Sequence, residues 1–512
     1  MAAAAKSTEP HLGAITVCVM LATIMQALDT TIANVALPYM QGSLSATLDQ
    51  INWVLTSYIV AAAIMTPPTG WLAARFGRKR LFIFTVAGFT IASALCGMAT
   101  SLEQMVGFRL LQGVFGAPLV PLSQSVLLDS YPREKHGSAM ALWGVGVMVG
   151  PILGPTLGGY LTEFYNWRWV FYINLPIGIL TILGLTAYLH ETKLDNILRF
   201  DWMGFGTLSI AIGALQMMLD RGQQLDWFGS TEIIVEAAIA GLAVYLFLVH
   251  TFTTDNPFID PNIFRDRNFA TGMIFIFFVG IILLATLALM TPYLQSLMGY
   301  PVLTAGLVLA PRGVGTMISM MLVGRIINRV DPRWMILSGL ALTAFSLWQM
   351  TGFTPDVSQW TLVHTGMTQG LGLGLIFVPL STITFSTLAP VFRTQATSLF
   401  ALMRNIGSSI GISIVIFLLG RSTQVVHSEL AVHANSLNDL FRAPNVAAIW
   451  NLGTEAGRLA LNAEVTRQAT IIAYANDFKL MMWVALLAMP MVFLMRRSRS
   501  APSGGHAVAA LD

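Results

Sequence analysis

The sequence predicts an all-helical (all-α) integral membrane protein with fourteen transmembrane helices. Of its 512 residues, 55% are hydrophobic and 10% are charged, whereas about a quarter of the residues in an average soluble domain are charged. Fourteen apolar runs reach the length of a membrane span, which is about 20 residues. Cys18 and Cys96 both fall inside these runs, so we expect no extracellular disulfide framework.

The predicted spans follow one another through short connections, with one exception near the carboxyl terminus. The exception is residues 421–474, which contain two stretches patterned like amphipathic helices and form either a passive cap or a docking surface. The first run is too long for a signal-peptide core, so we expect it to be retained. The spans lie at about 14–38, 51–74, 81–100, 103–128, 138–161, 170–189, 202–220, 232–253, 269–292, 303–327, 334–352, 360–387, 397–420 and 475–495.

The distribution of basic residues predicts that both termini are cytoplasmic. With both termini inside, seventeen Lys and Arg residues fall on the cytoplasmic side and six fall outside. Four of those six lie in 421–474, where the positive-inside rule is weak because it applies to short loops. We therefore expect a multi-pass protein of the inner (plasma) membrane.

Two similar segments indicate an internal repeat. GWLAARFGRKR (70–80) ends span 2, and GRIINRVDPR (324–333) ends span 10, eight spans later. Such a repeat predicts two six-helix halves, separated by two inserted helices, that rock around a central site. The predicted order is a cytoplasmic N-terminus, a first half, the insert, a second half that includes the external loop 421–474, and a cytoplasmic tail, at 1–13, 14–190, 191–255, 256–495 and 496–512.

Asp29 lies in the middle of the first span and is the only acid that stands out in the membrane interior. An ionised Asp at that depth costs roughly 2.5–3.5 kcal/mol, so it should face a partner or a water-filled cavity. Arg109 in span 4 should lie within about 3 Å of the same depth, given the rise of a helix. With Gln112 one turn away, these residues form either a static structural cluster or a device that gains and loses a proton.

The patterns that other classes of membrane protein require are missing from the sequence. A phosphate-binding loop needs Gly-Lys-[Ser/Thr], and no lysine follows a glycine here. An intramembrane aspartyl protease needs two facing acids, and a metalloprotease needs a paired-His motif such as HExxH. We therefore expect a secondary transporter rather than an enzyme, with a non-transporting receptor or scaffold as the remaining alternative.

Six motifs carry a resemblance to a known family. They are LDTTIANVALP (28–38), the loop 70–80, RLLQGVFGAP (109–118), GVGVMVGPILGPTLGG (144–159), WRWVFYINLP (167–176) and LDRGQQLDWF (219–228). Over essentially its whole length the chain resembles the major facilitator superfamily, and within it the fourteen-span drug:proton antiporters of the EmrB type. The resemblance implies proton-coupled export of hydrophobic and amphipathic drugs by alternating access. The alternative is export of one dedicated metabolite or lipid-like compound.

The resemblance also implies an energy source and partners. Exporters of this kind use the proton gradient, so we expect no cofactor and no metal. They work as the inner-membrane part of a tripartite pump, with an EmrA-like periplasmic adaptor and a TolC-type outer-membrane channel. We expect contacts with membrane lipid and small hydrophobic substrates, and none with nucleic acid.

By the same resemblance, two segments take part in conformational gating. In span 5 the glycines form one stripe, which we expect to pack tightly and which is also compatible with a hinge or seal between the halves. In the first inner loop the family usually carries an acid that helps to latch the cytoplasmic side, but this chain has Ala74 there, so the basic residues of the loop need other partners. The gating candidates are Gly70, Arg75, Gly77, Arg78, Gly150, Pro151, Gly154, Pro155 and Gly158.

The predicted substrate cavity combines aromatic and amide side chains with two intramembrane cations. A buried Arg usually marks a pathway or an ion pair. The candidates are Gln26, Asn34, Trp53, Tyr58, Gln124, Trp143, Arg312 and Arg404.

Overall fold

The computed structural model describes residues 12–191, 199–433 and 449–496, and over these ranges its regular structure is helical. Helical structure occurs at each of the fourteen predicted spans, and we number the helices accordingly. They are α1 (Leu12–Ser43), α2 (Trp53–Met65 and Thr69–Phe76), α3 (Arg78–Met98), α4 (Leu102–Gly116 and Leu119–Ser130), α5 (His136–Phe164), α6 (Trp169–Tyr172 and Asn174–Tyr188), α7 (Trp202–Arg221), α8 (Thr231–Thr253), α9 (Arg267–Pro292), α10 (Val302–Ile326), α11 (Pro332–Met350), α12 (Gln359–Ser386), α13 (Arg393–Val432) and α14 (Glu455–Ala488).

Among the described residues, twelve helices are long and apolar enough to cross a membrane. The two predicted spans outside that group are α2 and α11. In α2 the helix is divided at Pro67 and Pro68, because proline lacks an N–H group and clashes with the preceding turn. In α11 the 19-residue helix carries Arg333 near its start and Gln349 near its end, which lowers its mean hydropathy.

The long connection between spans 13 and 14 is helical at both of its ends, and the second of its two predicted amphipathic stretches is helical from Glu455 onward. α13 continues as helix to Val432, and α14 begins at Glu455, where Thr454 caps it by accepting a hydrogen bond from Gly457 N. Much of 421–474 therefore consists of extensions of the two helices. Several residues counted above, namely Lys6, Lys193, Arg442, Arg497 and Arg499, lie outside the described ranges, as do most of 1–13 and of 496–512.

The two halves meet along α5 and α10. Gly144 of α5 faces Met320 of α10, and Ile152 of α5 faces Gly313 of α10. A glycine at each crossing lets the two helices approach closely. Nearby, the Trp143 ring stacks on Phe377 of α12 at 5.9 Å, so aromatic packing also joins the halves.

The glycine stripe of α5 does not lie at this interface, where a hinge or seal between the halves would place it. A side chain at Gly150 would meet Ala27 of α1 at 2.4 Å, and one at Gly154 would meet Thr31 at 2.1 Å. Thr31 also donates a hydrogen bond to the Gly150 carbonyl oxygen, at 3.0 Å. The stripe therefore packs α5 against α1 within the first half, next to Asp29.

The inserted helix α7 lies between the two halves on the side of α2 and α13. Ala63 of α2, Ile212 of α7 and Leu402 of α13 form one apolar cluster. We call the end of the molecule that carries Arg78 and Arg393 the basic end, and the other the opposite end.

Candidate functional site

The carboxylate of Asp29 is fully buried and accepts hydrogen bonds on both oxygens. Arg109 Nη1 donates to Oδ2 at 2.8 Å. Gln112 Nε2 and Asn174 Nδ2 donate to Oδ1 at 2.8 and 3.2 Å. A buried carboxylate is tolerated only when it is paired and hydrogen-bonded in this way.

The guanidinium of Arg109 is as completely enclosed as the carboxylate it binds. Its Nε donates to the Val54 carbonyl oxygen at 3.0 Å, and its Nη1 also donates to Gln112 Oε1 at 2.7 Å. The Tyr58 and Phe171 rings lie 4.3 and 5.7 Å from the guanidinium carbon. Backbone, amide and aromatic groups therefore replace the hydration of the cation.

Asn174 is itself held by a chain of hydrogen bonds. It donates to Ser93 Oγ at 3.0 Å, and Ser93 donates to the Phe171 carbonyl oxygen at 2.8 Å. Its own Oδ1 is buried and has no hydrogen-bond partner among the described residues. The cluster consequently keeps one unused acceptor a single side chain away from Asp29.

Glycines allow the helices that carry these side chains to come close together. Gly150 brings α5 against Ala27, next to Asp29. A side chain at Gly113, the neighbour of Gln112, would lie 2.5 Å from the Tyr58 carbonyl oxygen. Close approach of α4 to α2 is thus what brings Arg109 within reach of the Val54 carbonyl.

The arrangement links the protonation of Asp29 to the placement of Arg109. With Asp29 ionised, the pair with Arg109 has no net charge, and its burial in the protein interior costs less free energy than that of a single charge. With Asp29 protonated, the guanidinium loses its counter-ion, and removing one partner of a buried pair is strongly unfavourable. Proton binding therefore favours a rearrangement that gives Arg109 water or another acceptor.

The structure brings together Asp29, Arg109 and Gln112, the three residues predicted to act as one cluster. Sequence reasoning missed Asn174 and Ser93, although Asn174 stands in the quoted motif WRWVFYINLP. It placed Tyr58 in a substrate cavity, whereas Tyr58 covers Arg109 and accepts a hydrogen bond from Gln26 at 3.4 Å.

The other cavity candidates are spread over the molecule. Trp53 lies at the opposite end in a polar recess, Asn34 is exposed, and Gln124 is buried with an unpartnered Oε1. Trp143 is buried and donates to Thr23 Oγ1 at 3.1 Å. Arg404 is half-buried on α13 in the second half.

The second half contains a weaker counterpart of the Asp29 cluster. Gln369 of α12 donates to Thr286 Oγ1 of α9 at 3.4 Å. Positions 29 and 286, 109 and 366, and 112 and 369 are each 257 residues apart. The counterparts are Asp29 and Thr286, Arg109 and Gly366, and Gln112 and Gln369.

The cation of this second cluster comes from another helix. Arg312 of α10 lies beside Gly366 and Gly370 and donates through Nη2 to the Leu283 carbonyl oxygen at 2.8 Å. In the described part of the chain, no salt bridge is recorded for Arg312. The second half thus has the polar pair and a buried cation, but no carboxylate between them.

Asp29 is not the only buried acid, so that prediction is wrong. Asp477 of α14 is 2% exposed, and within the part of the chain that the structure describes its Oδ2 has no hydrogen-bond partner. It lies three residues after Tyr474, which packs on Tyr293 at 5.3 Å, and so is next to a buried aromatic cluster of the second half. The predicted span 475–495 already contained it.

At the basic end, Asp129 provides a partner for the loop that has Ala74 in place of the usual acid. Asp129, at the end of α4, forms ion pairs with both Arg78 and Arg393. The contact from Arg393 Nη1 is 2.6 Å, and the same nitrogen donates to the Leu128 carbonyl oxygen at 3.1 Å. Because Arg393 begins α13, this cluster joins the first half to the second.

The other gating candidates of this loop are fixed by close contacts. Gly77 has a φ of +87°, and a side chain there would lie 2.4 Å from the Glu191 carboxylate, so glycine is required. Glu191 accepts hydrogen bonds from the Lys79 and Arg80 backbone nitrogens, both at 3.1 Å. A side chain at Gly70 would lie 2.8 Å from Gln395 Cα, so α2 touches α13 directly here, and Arg75 is half-buried nearby.

Comparison with known proteins decides the family. The family model described as the Major Facilitator Superfamily matches residues 19–412. The chain belongs to the Major Facilitator Superfamily. Within it, the chain is 37% identical to the multidrug export protein EmrB of Escherichia coli (strain K12), over 96% of each chain.

Two further comparisons extend this result. The chain is 36% identical to the fatty acid resistance protein FarB of Neisseria gonorrhoeae, over 96% of this chain and 97% of that protein. Among solved structures, the human organic anion transporter MFSD10 (TETRAN) superposes with a TM-score of 0.59 at 14% identity, covering 93% of this chain and all of that one. This major facilitator chain therefore has the fold of a multi-pass membrane transporter.

Proposed function

We propose that this major facilitator protein exports diverse hydrophobic and amphipathic compounds in exchange for protons. The observation that carries the proposal is the buried pair of Asp29 and Arg109, with Gln112 and Asn174 bonded to the same carboxylate. The names of the full-length relatives, including EmrB of Escherichia coli, support drug export.

In the proposed cycle, Asp29 releases its proton on one side of the membrane and reloads on the other. Protonation frees Arg109 from its counter-ion and favours the state in which water reaches the cluster. Substrate binding favours the opposite change, so the two ligands exchange. Each step uses only side chains of this chain, and we propose no catalytic activity, cofactor or metal.

The proton gradient is sufficient as the energy source. One proton that crosses 100 mV supplies about 2.3 kcal/mol. That energy sustains roughly a 50-fold concentration gradient of a neutral solute. The proposed substrates partition into membranes, so a gradient of this size protects a cell from them.

We further propose an inner-membrane location with cytoplasmic termini and a place in a tripartite pump. The excess of basic residues at the predicted cytoplasmic loops supports the orientation. The extensions of α13 and α14 up to Val432 and from Glu455 onward offer a docking surface for an EmrA-like periplasmic adaptor, which would lead to a TolC-type channel.

A dedicated lipid-like substrate is the second candidate. The similarity to the fatty acid resistance protein FarB, at 36% identity, favours it. A fatty acid is itself amphipathic, so both candidates use the same polar cluster and differ in the breadth of the substrates.

Transport by the purified protein in proteoliposomes tests both candidates. A pH gradient would be imposed, and the movement of a lipophilic cationic dye, an anionic uncoupler and a long-chain fatty acid would be followed separately. Gradient-dependent movement of all three supports the multidrug proposal. Movement of the fatty acid alone supports the dedicated exporter. Transport at the same rate with and without the pH gradient contradicts proton coupling.

A further inference from the structure

We propose that the opposite end of α7 is a clamp that binds both halves of the transporter, with Asp220 and Ser413 as gating residues. The clamp is the motif LDRGQQLDWF (219–228), which ends α7 and begins the turn to α8. Neither the Asp29 cluster nor the basic end accounts for this motif.

On one side the clamp binds the first half. Thr56 of α2 donates its hydroxyl to the Asp220 carboxylate. The guanidinium carbon of Arg221 lies 5.8 Å from the centre of the Trp53 ring, and Arg221 is held by an ion pair with Glu232 of α8. These α2 and α7 side chains surround a polar recess of about 100 Å³, lined by Gln50, Asn52, Trp53, Thr56, Asp220, Arg221 and Gln224.

On the other side the clamp binds the second half. Ser413 of α13 donates its hydroxyl to the Leu219 carbonyl oxygen at 2.7 Å, and this serine is buried. One helical turn further along α13, the Phe417 ring packs edge-to-face on Trp227 at 5.7 Å. Adjacent residues 219 and 220 therefore bond to opposite halves.

The turn that carries Trp227 has an unusual backbone. Asp226 and Trp227 have φ values of 58° and 48°, a region that residues other than glycine rarely adopt. The Trp227 N–H donates to the Gly222 carbonyl oxygen at 2.8 Å, and a side chain at Gly222 would lie 2.8 Å from the Trp227 ring. Gly222 and the strained turn together direct Trp227 onto α13, which explains why the motif has this composition.

The position of the clamp connects it to gating. At the basic end α2 and α13 touch at Gly70 and Gln395, whereas at the opposite end the tip of α7 bonds to both helices. When the halves separate at the opposite end, one of the two attachments must break. Thr56 and Ser413 are both buried, but the Asp220 carboxylate is exposed and lines the polar recess, so water can replace the Thr56 hydroxyl there, whereas the Ser413 bond joins two buried groups. Breaking a buried bond without a replacement costs more, so α7 moves with α13 and parts from α2.

Distances between spin labels at the opposite end test the clamp. The labels would be placed at Gly42→Cys of α1 and Gln424→Cys of α13, which are both exposed, while the native Cys18 and Cys96 are buried. Thr56→Val removes the donor to Asp220. We expect the ratio of long to short distances to rise about five-fold, the change that one hydrogen bond of ordinary strength supplies.

A control variant, a second label pair and a cross-link distinguish the clamp from a general loosening of the fold. The matched control is Thr207→Val in α7, whose hydroxyl bonds only within its own helix and whose loss should leave the distances unchanged. A label pair at Lys135→Cys and Arg329→Cys reports on the basic end, where Thr56→Val should keep the short distance. Cross-linking Asn52→Cys to Gln224→Cys across the recess should hold the opposite end at the short distance and stop transport until the link is reduced.

The clamp is contradicted if Thr56→Val and Thr207→Val give the same distances as the wild type. It is also contradicted if Thr56→Val lengthens the distances at both ends alike, because that result indicates a general loosening of the fold. A cross-linked protein that still transports at the rate of the reduced one would show that α7 need not part from α2. None of these readouts depends on which substrate is exported.

Discussion

The two halves of this transporter carry polar pairs at corresponding positions, and the two pairs differ in charge. In the first half, Asp29 and Gln112 are joined by Arg109 into a neutral buried ion pair. In the second half, Thr286 and Gln369 keep the hydrogen bond without any charge. Corresponding positions in the two halves therefore both carry a hydrogen-bonded polar pair, while only the first pair contains a carboxylate.

Because of this difference in charge, we expect the two halves to have different roles in transport. A proton would change the charge of the first cluster, so under our proposal the gradient acts on the first half. The second half contains Arg312, a buried cation whose guanidinium donates a hydrogen bond to the Leu283 carbonyl oxygen. The glycines at the α5–α10 crossings and Asp129 at the basic end are the contacts that join the two halves.

The largest effect is expected from Arg109→Gln. Removing one partner of a buried pair costs about 3–5 kcal/mol, so Asp29 should become protonated or the fold should loosen. We expect gradient-driven transport to fall to background and the thermal midpoint to drop. Arg312→Gln is the matched change in the second half, and it should cost less stability because no carboxylate is left unpaired. Equal losses of thermal stability in Arg109→Gln and Arg312→Gln would contradict the view that only the first half contains a buried ion pair.

A smaller effect is expected when one amide donor to Asp29 is removed. Hydrogen bonds to charged groups are worth about 1.5–3 kcal/mol, so Gln112→Leu should slow gradient-driven transport by about 10-fold or more. The counterpart change Gln369→Leu removes a neutral bond and should slow transport by less than about three-fold. Initial rates in proteoliposomes at several pH values would check both, and only Gln112→Leu should shift the pH profile. A shift of the pH profile with Gln369→Leu and not with Gln112→Leu would contradict the assignment of proton coupling to the first half.

The basic end should respond more weakly, because its ion pairs lie in a partly exposed cluster. Arg393→Gln removes the cation of α13 from Asp129, but Arg78 still neutralises that carboxylate. We expect the basic end to open about three- to ten-fold more often, as measured by the Lys135–Arg329 label pair, because partly exposed pairs contribute only about 1 kcal/mol. The control is Arg80→Gln, whose partner Glu191 lies just after α6 and whose ion pair with it does not join the second half. If the control opens this end equally, the bridge between the halves is not the cause.

The smallest effect is expected from Thr286→Val, the counterpart of a change at Asp29. It removes a neutral hydroxyl that accepts one long hydrogen bond. We expect transport within about two-fold of the wild type, since such a bond contributes about 1 kcal/mol or less. A loss of proton coupling in this variant, measured as substrate movement per proton, would break the comparison between the halves.

The part of the site that follows from helix geometry alone was predictable. Asp29 and Arg109 were paired because both lie at a similar depth on helices whose directions follow from the span order, and the structure places their atoms 2.8 Å apart. Asn174 was missed because the depth argument was applied to charged residues. A single amide hardly changes the hydropathy of an apolar span, so the pattern does not mark it as a candidate. A search for buried amides at the same depth would have found it.

Which face of a helix meets which neighbour was not predictable from periodicity. The stripe of small residues in α5 was visible in the sequence, but small residues favour close approach to any helix. Only the packing shows that Gly150 and Gly154 meet α1, while Gly144 and Ile152 meet α10. For the same reason the predicted cavity mixed residues such as Trp53 and Trp143, which lie in different environments.

The most direct test of the account is substrate-induced proton release from the purified protein. Wild type, Asp29→Asn and Asp477→Asn would be compared, since both substitutions remove a buried carboxylate with little change in shape. We predict that Asp29→Asn still binds substrate but releases no proton, while Asp477→Asn releases protons like the wild type. Normal proton release from Asp29→Asn, or its loss only in Asp477→Asn, would contradict the assignment of proton coupling to the first half.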